Sequence, residues 1–464
     1  MKRTLTLRTA LGLAIGLIFF CSANSAGQRR PPNIVLIVSD DMGYADIGVH
    51  GASDIPTPNI DALARGGIRF TDAYVSGPYC SPTRAGLMTG RYPQRFGHEF
   101  NPDGRPAVRH TLGLPLTETT IADYFRAAGY RTALFGKWHL GAGEQFHPMS
   151  RGFDEFFGFL DGDHSYIDPE LNTPDPLLEG RKPVEKTEYL TDVFTDRAVD
   201  FIARQKSQPF FLYLAYNAVH TPMQAPQKYL DRFPNIADKT RRTYAAMLSA
   251  MDDGIGRTLA ALREAGIEEN TLVIFFNDNG GPTMPGTTIN GSRNTPLRGS
   301  KRQTWEGGIR VPFIIRWKGK LAEGKTDSRL IIQLDVLPTA LAAAGIRVKP
   351  RSNFDGVNLL PFIANKKSGR PHKALYWRLG ENMAIREGDW KLVKAVEGRL
   401  FSADATKPEY LAGVELYNLA NDVGEGKNLA AENPKKVKEL VAAWQVWNKM
   451  LLRPLWGPPH RSLQ

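Results

Sequence analysis

The sequence predicts an α/β fold, a large central sheet flanked by helices, followed by a smaller C-terminal part with an antiparallel sheet and a helix. Three observations predict it. Near-continuous apolar runs at Asn33–Ser39, Pro209–Tyr216 and Thr271–Phe276 read as strands buried on both faces, the mark of a parallel sheet. Amphipathic helical stretches lie between them, the longest from Tyr244 to Gly266. Past about Leu360 the runs shorten to segments parted by turn residues, the pattern of an antiparallel sheet.

At 464 residues the chain can bury a large core and hold more than one domain. Its 42% hydrophobic and 23% charged residues place it among ordinary globular proteins. We expect three segments: 1–26, a catalytic domain at 27–365 and a C-terminal subdomain at 366–464.

The first segment reads as a secretory signal peptide. Lys2, Arg3 and Arg8 form a basic region. Leu11–Phe20 is apolar but too short to span a bilayer, and Ala23-Asn24-Ser25-Ala26 offers small residues for cleavage. Ile18-Phe19-Phe20 before Cys21 is bulkier than a lipobox usually allows, which argues against lipidation. The expected product is exported, periplasmic or secreted, with no integral membrane segment in the mature chain. Removing three basic residues and no acids lowers the formal net charge from +11 to +8. It also leaves Cys80 as the single cysteine, so Cys80 is not half of an internal disulfide. A basic exported protein suits an anionic partner such as a sulfated polymer. Charge alone would also admit nucleic acid, but no nucleic-acid motif is present, so none is expected. Charge spread over a solvated surface is the plainer explanation of the same excess.

Taken in order, the first strand ends in Asp40-Asp41. Adjacent carboxylates at a strand's C-terminal end repel each other unless a cation sits there, and sites of open α/β sheets lie at such ends. Cys80-Ser81-Pro82-Thr83-Arg84 follows, running on to Gly90-Arg91. We expect a short helix with Ser81 as its cap, Pro82 at the first helical position and Gly90 as its stop. Cys80 would then sit just ahead of a helix N-terminus, with Arg84 folding back toward it.

Thr120–Gly129 is an expected helix with Ile121, Tyr124 and Phe125 on one face. It leads to Tyr130–Gly141, which contains Gly136-Lys137-Trp138-His139-Leu140-Gly141. Read as a strand, this places Lys137 and His139 on one side and Trp138 on the other. Arg151–Phe159 is aromatic and assigned to packing. Asp161–Tyr166 is polar and loop-like, and His164 and Ser165 are its candidate substrate contacts. Pro169–Pro183 reads as a surface loop.

The second long strand ends before His220, and the third before Asn277-Asp278-Asn279-Gly280-Gly281. Asp40, Asp41, Asp278 and Asn279 together offer hard oxygen ligands and no soft ones, which selects Ca2+ or Mg2+ over zinc. Tyr244, Met247, Leu248, Met251, Ile255, Leu259 and Leu262 form one stripe and read as core. Lys301 precedes Trp305-Glu306-Gly307-Gly308-Ile309-Arg310-Val311-Pro312. There Glu306-Gly307-Gly308 reads as a tight turn before a strand at Pro312–Trp317. The C-terminal part is expected to hold short strands at Ala374–Trp377, Met383–Arg386 and Trp390–Lys394, the segment Glu415–Leu419, and a closing helix at Lys435–Leu451.

These strings together resemble the type I sulfatases. The resemblance rests on C-S-P-T-R with the following A-G-L-M-T-G-R, on G-K-W-H-L-G, on G-F-D-E-F-F-G, on G-S-K before E-G-G-I-R-V-P, and on E-L-Y-N-L. It runs in family order from Asn33 to about Leu429. It implies the alkaline-phosphatase-like fold with a mixed sheet. It also implies that a maturation enzyme converts Cys80 to formylglycine, whose hydrate attacks sulfur. Asp40, Asp41, Asp278, Asn279 and the modified Cys80 would hold a metal, usually Ca2+, with Mg2+ less expected. Arg84, Lys137 and Lys301 would stabilise the sulfuryl oxygens. His220, helped by Lys301, would protonate the leaving oxygen, and His139 would assist release of sulfate. The motifs stand close to N-acetylgalactosamine-sulfatase-like members, so a sulfated carbohydrate is the expected substrate, from glycosaminoglycans or marine galactans. The alternatives are a sulfatase of small aryl or alkyl sulfates, a phosphonate or phosphate ester hydrolase of the same superfamily, and a sulfated-glycan binding protein with an unmodified site.

Overall fold

The three long apolar runs pair side by side. In the computed structural model Asn33–Ser39 lies between Phe210–Ala215 and Thr271–Asn277, parallel to both. The structure describes residues 30–102, 108–167, 175–184, 188–348, 353–398 and 400–458. The expected signal peptide at 1–26 lies outside them. Among the described residues no helix is long and apolar enough to cross a membrane.

The sheet has ten strands and is mixed, as expected. Across it run Lys325–Asp327, Ile68–Phe70, Phe313–Arg316, Thr271–Asn277, Asn33–Ser39, Phe210–Ala215, Arg131–Lys137, Glu155–Phe159, Leu178–Glu179 and Lys182–Pro183. The five strands from Thr271–Asn277 to Glu155–Phe159 are parallel. Phe313–Arg316 runs antiparallel to its two neighbours. The last two strands form a hairpin inside the segment read as a loop. Its residues are mostly exposed, so burial left no apolar pattern there to read.

Alternation along the first strand divides the core. Val35 and Ile37 pack with the long helix Lys239–Glu264 and the helix Leu190–Gln205, whereas Ile34, Leu36 and Val38 pack with Cys80–Thr89, Ile121–Ala127 and Val336–Ala343. The expected stripe from Tyr244 to Leu262 is buried throughout. The helix starts five residues earlier than its apolar stripe, because the Asp238 carboxylate accepts the Arg241 N–H and caps it. Glu306-Gly307-Gly308 is part of a short helix, Glu306–Ile309, and not a tight turn. Glu425 accepts the Glu306 N–H and the Glu306 carbonyl receives the Arg310 N–H, which closes a helical turn.

The C-terminal sheet has the order Ala374–Leu379, Asn382–Glu387, Trp390–Lys394, Glu415–Asn418, all antiparallel, and carries the helix Pro434–Asn448. Its apolar face forms a separate core around Trp377, Trp444 and Trp447. Trp377 Nε1 donates to the Val75 carbonyl (2.7 Å) and the Arg378 guanidinium pairs with Glu99 (2.7 Å), so this sheet backs the segments flanking Cys80.

Candidate active site

Parallel register places four chain segments at one end of the sheet. Ser39 is level with Asn277, Val38 with Ala215, and Gly136 with Ala215. Each chain therefore leaves its strand at the same edge, delivering Asp40-Asp41, Asp278-Asn279, His220 and His139 to one place. Asp40 N–H donates to the Ala218 carbonyl (2.9 Å) and Val219 N–H to the Asp40 carbonyl (2.8 Å), which ties the first two loops together. Tyr166 Oη donates toward the carbonyls of Asn217 (2.5 Å) and His220 (2.8 Å) and anchors the second.

Cys80 comes from the helix Cys80–Thr89, all ten residues of which are buried. Gly90 stops it in the left-handed region, φ 65°, as expected. The start differs from expectation. Cys80 is itself the first helical residue, Tyr79 is the cap position, and no side chain caps the turn. Ser81 is thus inside the first turn. Its Oγ donates to the His139 carbonyl (2.6 Å) and lies 2.7 Å from His98 Nε2, while its N–H donates to Asn101 Oδ1 (3.1 Å). A serine hydroxyl has one proton, so His98 must donate through Nε2.

The strand of Lys137 ends at that residue. His139 adopts φ 58° and leaves the alternation that would have put both side chains on one side. Lys137 Nζ binds Asp40 Oδ2. His139 instead turns its ring toward Gly162, where an added Cβ would stand 2.9 Å from the ring. Trp138 is fully buried and donates to the Phe146 carbonyl (2.9 Å).

The charged centre holds three carboxylates and three cations, each at most 3% exposed. Arg84 donates to Asp278 Oδ2 through Nε (3.0 Å) and Nη2 (2.8 Å), with Asp40 Oδ2 at 3.4 Å. Lys301 Nζ meets Asp41 at 2.8 Å, and His220 Nε2 faces Asp41 Oδ2 at 3.5 Å. Cys80 Sγ points at Asp40 Oδ1 (3.6 Å). Burial raises Asp40, but Lys137, His220 and Arg84 outweigh it and hold the carboxyl well below the usual range. Burial likewise raises Asp41, and Lys301 brings it below the ordinary value. Asp278, buried beside the Asp40 charge, is pushed up to about 7. Burial pushes the Cys80 thiol far up, away from thiolate.

The carboxylates of the centre fit a divalent cation, with the position-80 side chain and one imidazole beside them. Ligand atoms of Asp40, Asp41, Cys80 and His220 lie within 4.8 Å of one another. Asp278 stands outside that group, its Oδ1 accepting the Asp41 N–H (3.4 Å). Asn279 Nδ2 donates to Asp41 Oδ1 (2.7 Å), which leaves Asn279 Oδ1 buried with no hydrogen-bond partner. A buried, orphaned amide oxygen on a residue bonded to Asp41 is a group a divalent cation would satisfy.

Above this centre opens a pocket of about 240 Å³. Cys80, His139, His220 and Lys301 line it, while Arg84 and Lys137 lie behind them, bonded to Asp278 and Asp40. His164 and Ser165 do not reach it. His164 packs on Phe159 (5.2 Å) with Nδ1 2.8 Å from the Ser165 carbonyl, and Ser165 Oγ donates to Gln224 (3.1 Å). From that loop Asp161, Gly162 and Asp163 form the wall instead. The sequence reading also missed Asn101, Thr288, Tyr79 and Arg302, which complete the lining. Thr288 Oγ1 donates to Asp41 Oδ2 (3.0 Å). Its loop carries no periodicity or motif. Asn101 had a usable signal, a polar residue shortly after the Cys80 helix, but its bond to Ser81 depends on the chain turning back at Gly97.

The chain is similar to known proteins over most of its length. The family model described as Sulfatase matches residues 32–346, and one described as N-sulphoglucosamine sulphohydrolase, C-terminal, matches residues 299–446. The N-acetylgalactosamine-6-sulfatase of Mus musculus is 35% identical, over 82% of this chain and 74% of its own. Arylsulfatase A of Homo sapiens is 34% identical, over 92% and 86%. The crystal structure of Ps i-CgsB in complex with k-i-k-neocarrahexaose superposes with a TM-score of 0.82 at 36% identity, covering 93% of this chain and 96% of that one.

Proposed function

This chain belongs to the sulfatase family and is a sulfuric ester hydrolase, and on that premise we propose that it removes sulfate from a sulfated carbohydrate. The observation that carries the reading is the pocket itself. It is polar and open, with Cys80 on its floor and Lys301, His139 and His220 around it. Such a lining suits an anionic ester joined to a hydroxyl-rich group better than a flat aromatic one. Two relatives point the same way, one named for N-acetylgalactosamine 6-sulfate and one holding a neocarrahexaose. The similarity to an arylsulfatase favours a second reading, hydrolysis of small aryl sulfates.

We assign Cys80 as the residue converted to formylglycine by a maturation enzyme. A buried thiol with a raised pKa is a poor nucleophile, and the hydrate of the aldehyde would supply the attacking oxygen in its place. Asp40, Asp41, Asp278 and Asn279 with position 80 are assigned to a hard cation, Ca2+ before Mg2+, which when bound would offset negative charge on the sulfuryl oxygens. Arg84 and Lys137 hold Asp278 and Asp40 in place and keep Asp40 ionised. Lys301, charged through Asp41, faces the sulfate. His220 Nδ1 lies 2.7 Å from the Thr221 carbonyl and so carries its proton there. The proton given to the departing oxygen therefore leaves from Nε2. Burial, aided by Lys301, lowers the His220 pKa, and an entering sulfate opposes that shift by its charge.

The test is the mass of the tryptic peptide Phe70–Arg84 from an active preparation. The expected mass is that of cysteine with its sulfur replaced by an aldehyde oxygen, and Cys80→Ala should fold yet lose hydrolysis. Full activity with an unmodified cysteine would overturn the assignment. Comparing a sulfated N-acetylgalactosamine with 4-nitrophenyl sulfate separates the carbohydrate reading from the aryl one.

A further inference from the structure

Arg302 lines the pocket as a second cation beside Lys301. Lys301 beside it is paired with Asp41, but among the described residues no carboxylate forms an ion pair with Arg302. Its guanidinium donates through Nη1 to the Gly286 carbonyl (2.9 Å) and through Nη2 to Tyr79 Oη (3.3 Å). Both acceptors are neutral. Nε is buried and is not presented to the pocket, but each Nη uses one of its two hydrogens in these bonds, so the fork keeps one donor on each in reserve. The residue is held in position: it takes φ 74°, and its N–H donates to the Pro78 carbonyl (2.7 Å). A non-glycine residue in that region needs its surroundings to keep it there.

Tyr79 completes the arrangement. Arg302 Cζ lies 5.2 Å and Lys301 Nζ 5.7 Å from the centroid of the same Tyr79 ring, which directly precedes Cys80. Two charges thus stand over one aromatic ring at the pocket wall, one paired with Asp41 and one not. From another loop, Asp161 and Asp163 also line the pocket. Asp161 pairs with Arg109, and Asp163 is exposed. Asp161 is thus neutralised by its partner, and the Asp163 charge disfavours an anion on that side of the pocket.

We propose that Arg302 and Tyr79 form a second anion subsite, which takes a sulfate or carboxylate of the substrate other than the group being hydrolysed. The enzyme therefore selects carbohydrates that bear at least two acidic groups. This rests on the carbohydrate reading above. A guanidinium presenting paired donors matches an oxyanion with two oxygens, and charge-assisted hydrogen bonds of this kind are worth at least tenfold in affinity.

The test compares N-acetylgalactosamine 6-sulfate with N-acetylgalactosamine 4,6-disulfate, using enzyme that carries formylglycine. Wild type should prefer the disulfate by about tenfold or more in kcat/KM, mostly through KM. Arg302→Gln should lose that preference, with a loss on the monosulfate several times smaller than on the disulfate. Arg302→Lys should restore part of it, and both variants should melt with wild type, which separates recognition from folding. Equal losses on the two sugars, or no preference in wild type, would overturn the subsite alone. Turnover of 4-nitrophenyl sulfate with neither sugar nor a sulfated carrageenan oligosaccharide hydrolysed would overturn the carbohydrate reading and the subsite with it.

Discussion

At the scale of single residues the centre is a problem of charge in a dry place. Burial of Asp40, Asp41 and Asp278 would each raise a carboxyl pKa by several units if uncompensated. Lys137, Arg84 and Lys301 reverse that for Asp40 and Asp41, while Asp278 stays raised to about 7. The remaining carboxylate and the orphaned Asn279 oxygen are what a divalent ion would complete. His220 stands at the rim of this balance, close to Asp41 yet open to the pocket. If it protonates the leaving oxygen, its loss matters most when that oxygen is a strong base. His220→Ala should therefore lose at least about tenfold more kcat on a sugar sulfate than on 4-nitrophenyl sulfate. Equal losses on both substrates, measured under saturation, would remove it from that role.

At the scale of elements, the side chains are aimed by where strands and helices end. Lys137 closes its strand and points back to Asp40, while His139, two residues on, is turned by a left-handed backbone toward the Asp161–Asp163 loop. That loop can approach because position 162 has no side chain. A methyl group there would stand 2.9 Å from His139 Cε1 and 3.0 Å from Nε2, so either ring or loop must move. Displacement of about 1 Å at a reacting centre can cost up to a hundredfold. Gly162→Ala should lower kcat/KM about tenfold or more while shifting the melting temperature little. Wild-type kinetics in that variant would show that the position of the His139 ring is not critical. The Cys80 helix is held from outside as well. Trp456 Nε1 donates to the Phe100 carbonyl (2.9 Å), and its ring packs on His98 (4.8 Å), which in turn bonds Ser81.

Over the whole molecule the architecture is alkaline-phosphatase-like, and its C-terminal sheet is joined to the large one through a buried polar cluster. Lys391 Nζ lies 2.8 Å from both Glu306 and Glu425, and Glu306 also accepts from Tyr74 (2.6 Å) and Arg310 (3.2 Å). One lysine cannot neutralise two buried acids equally. Glu306 sits at about 2, because Lys391, Arg310 and Arg386 outweigh its burial, whereas burial and the Glu306 charge push Glu425 up to about 7. The folded protein thus keeps a proton on Glu425 that the unfolded chain releases above its ordinary value near 4.5. Stability from this group is fullest at low pH and falls as pH rises between those two values. Urea unfolding at about pH 5 and pH 8 should show a loss on the order of 2 kcal/mol. Glu425→Gln should remove its share of that loss and leave the share from Asp278, whose carboxyl is also raised to about 7. A slope unchanged in the variant would assign it to other groups.

The sequence by itself determined the long buried strands, the helices with clear apolar stripes, the motif strings and, through them, the family, because burial and period are written into consecutive residues. It named the acids, bases and Cys80 that now stand within one small centre. Tertiary structure alone decided how they face each other. It made Cys80 the first helical residue, put Arg84 and Lys137 behind the pocket, turned His164 and Ser165 away, and brought in Asn101, Thr288 and Arg302. Those outcomes depend on parallel register, on left-handed backbone at His139 and Arg302, and on contacts between segments distant in the chain. No local pattern encodes them, since each is set by the position of a neighbour that the local sequence does not contain.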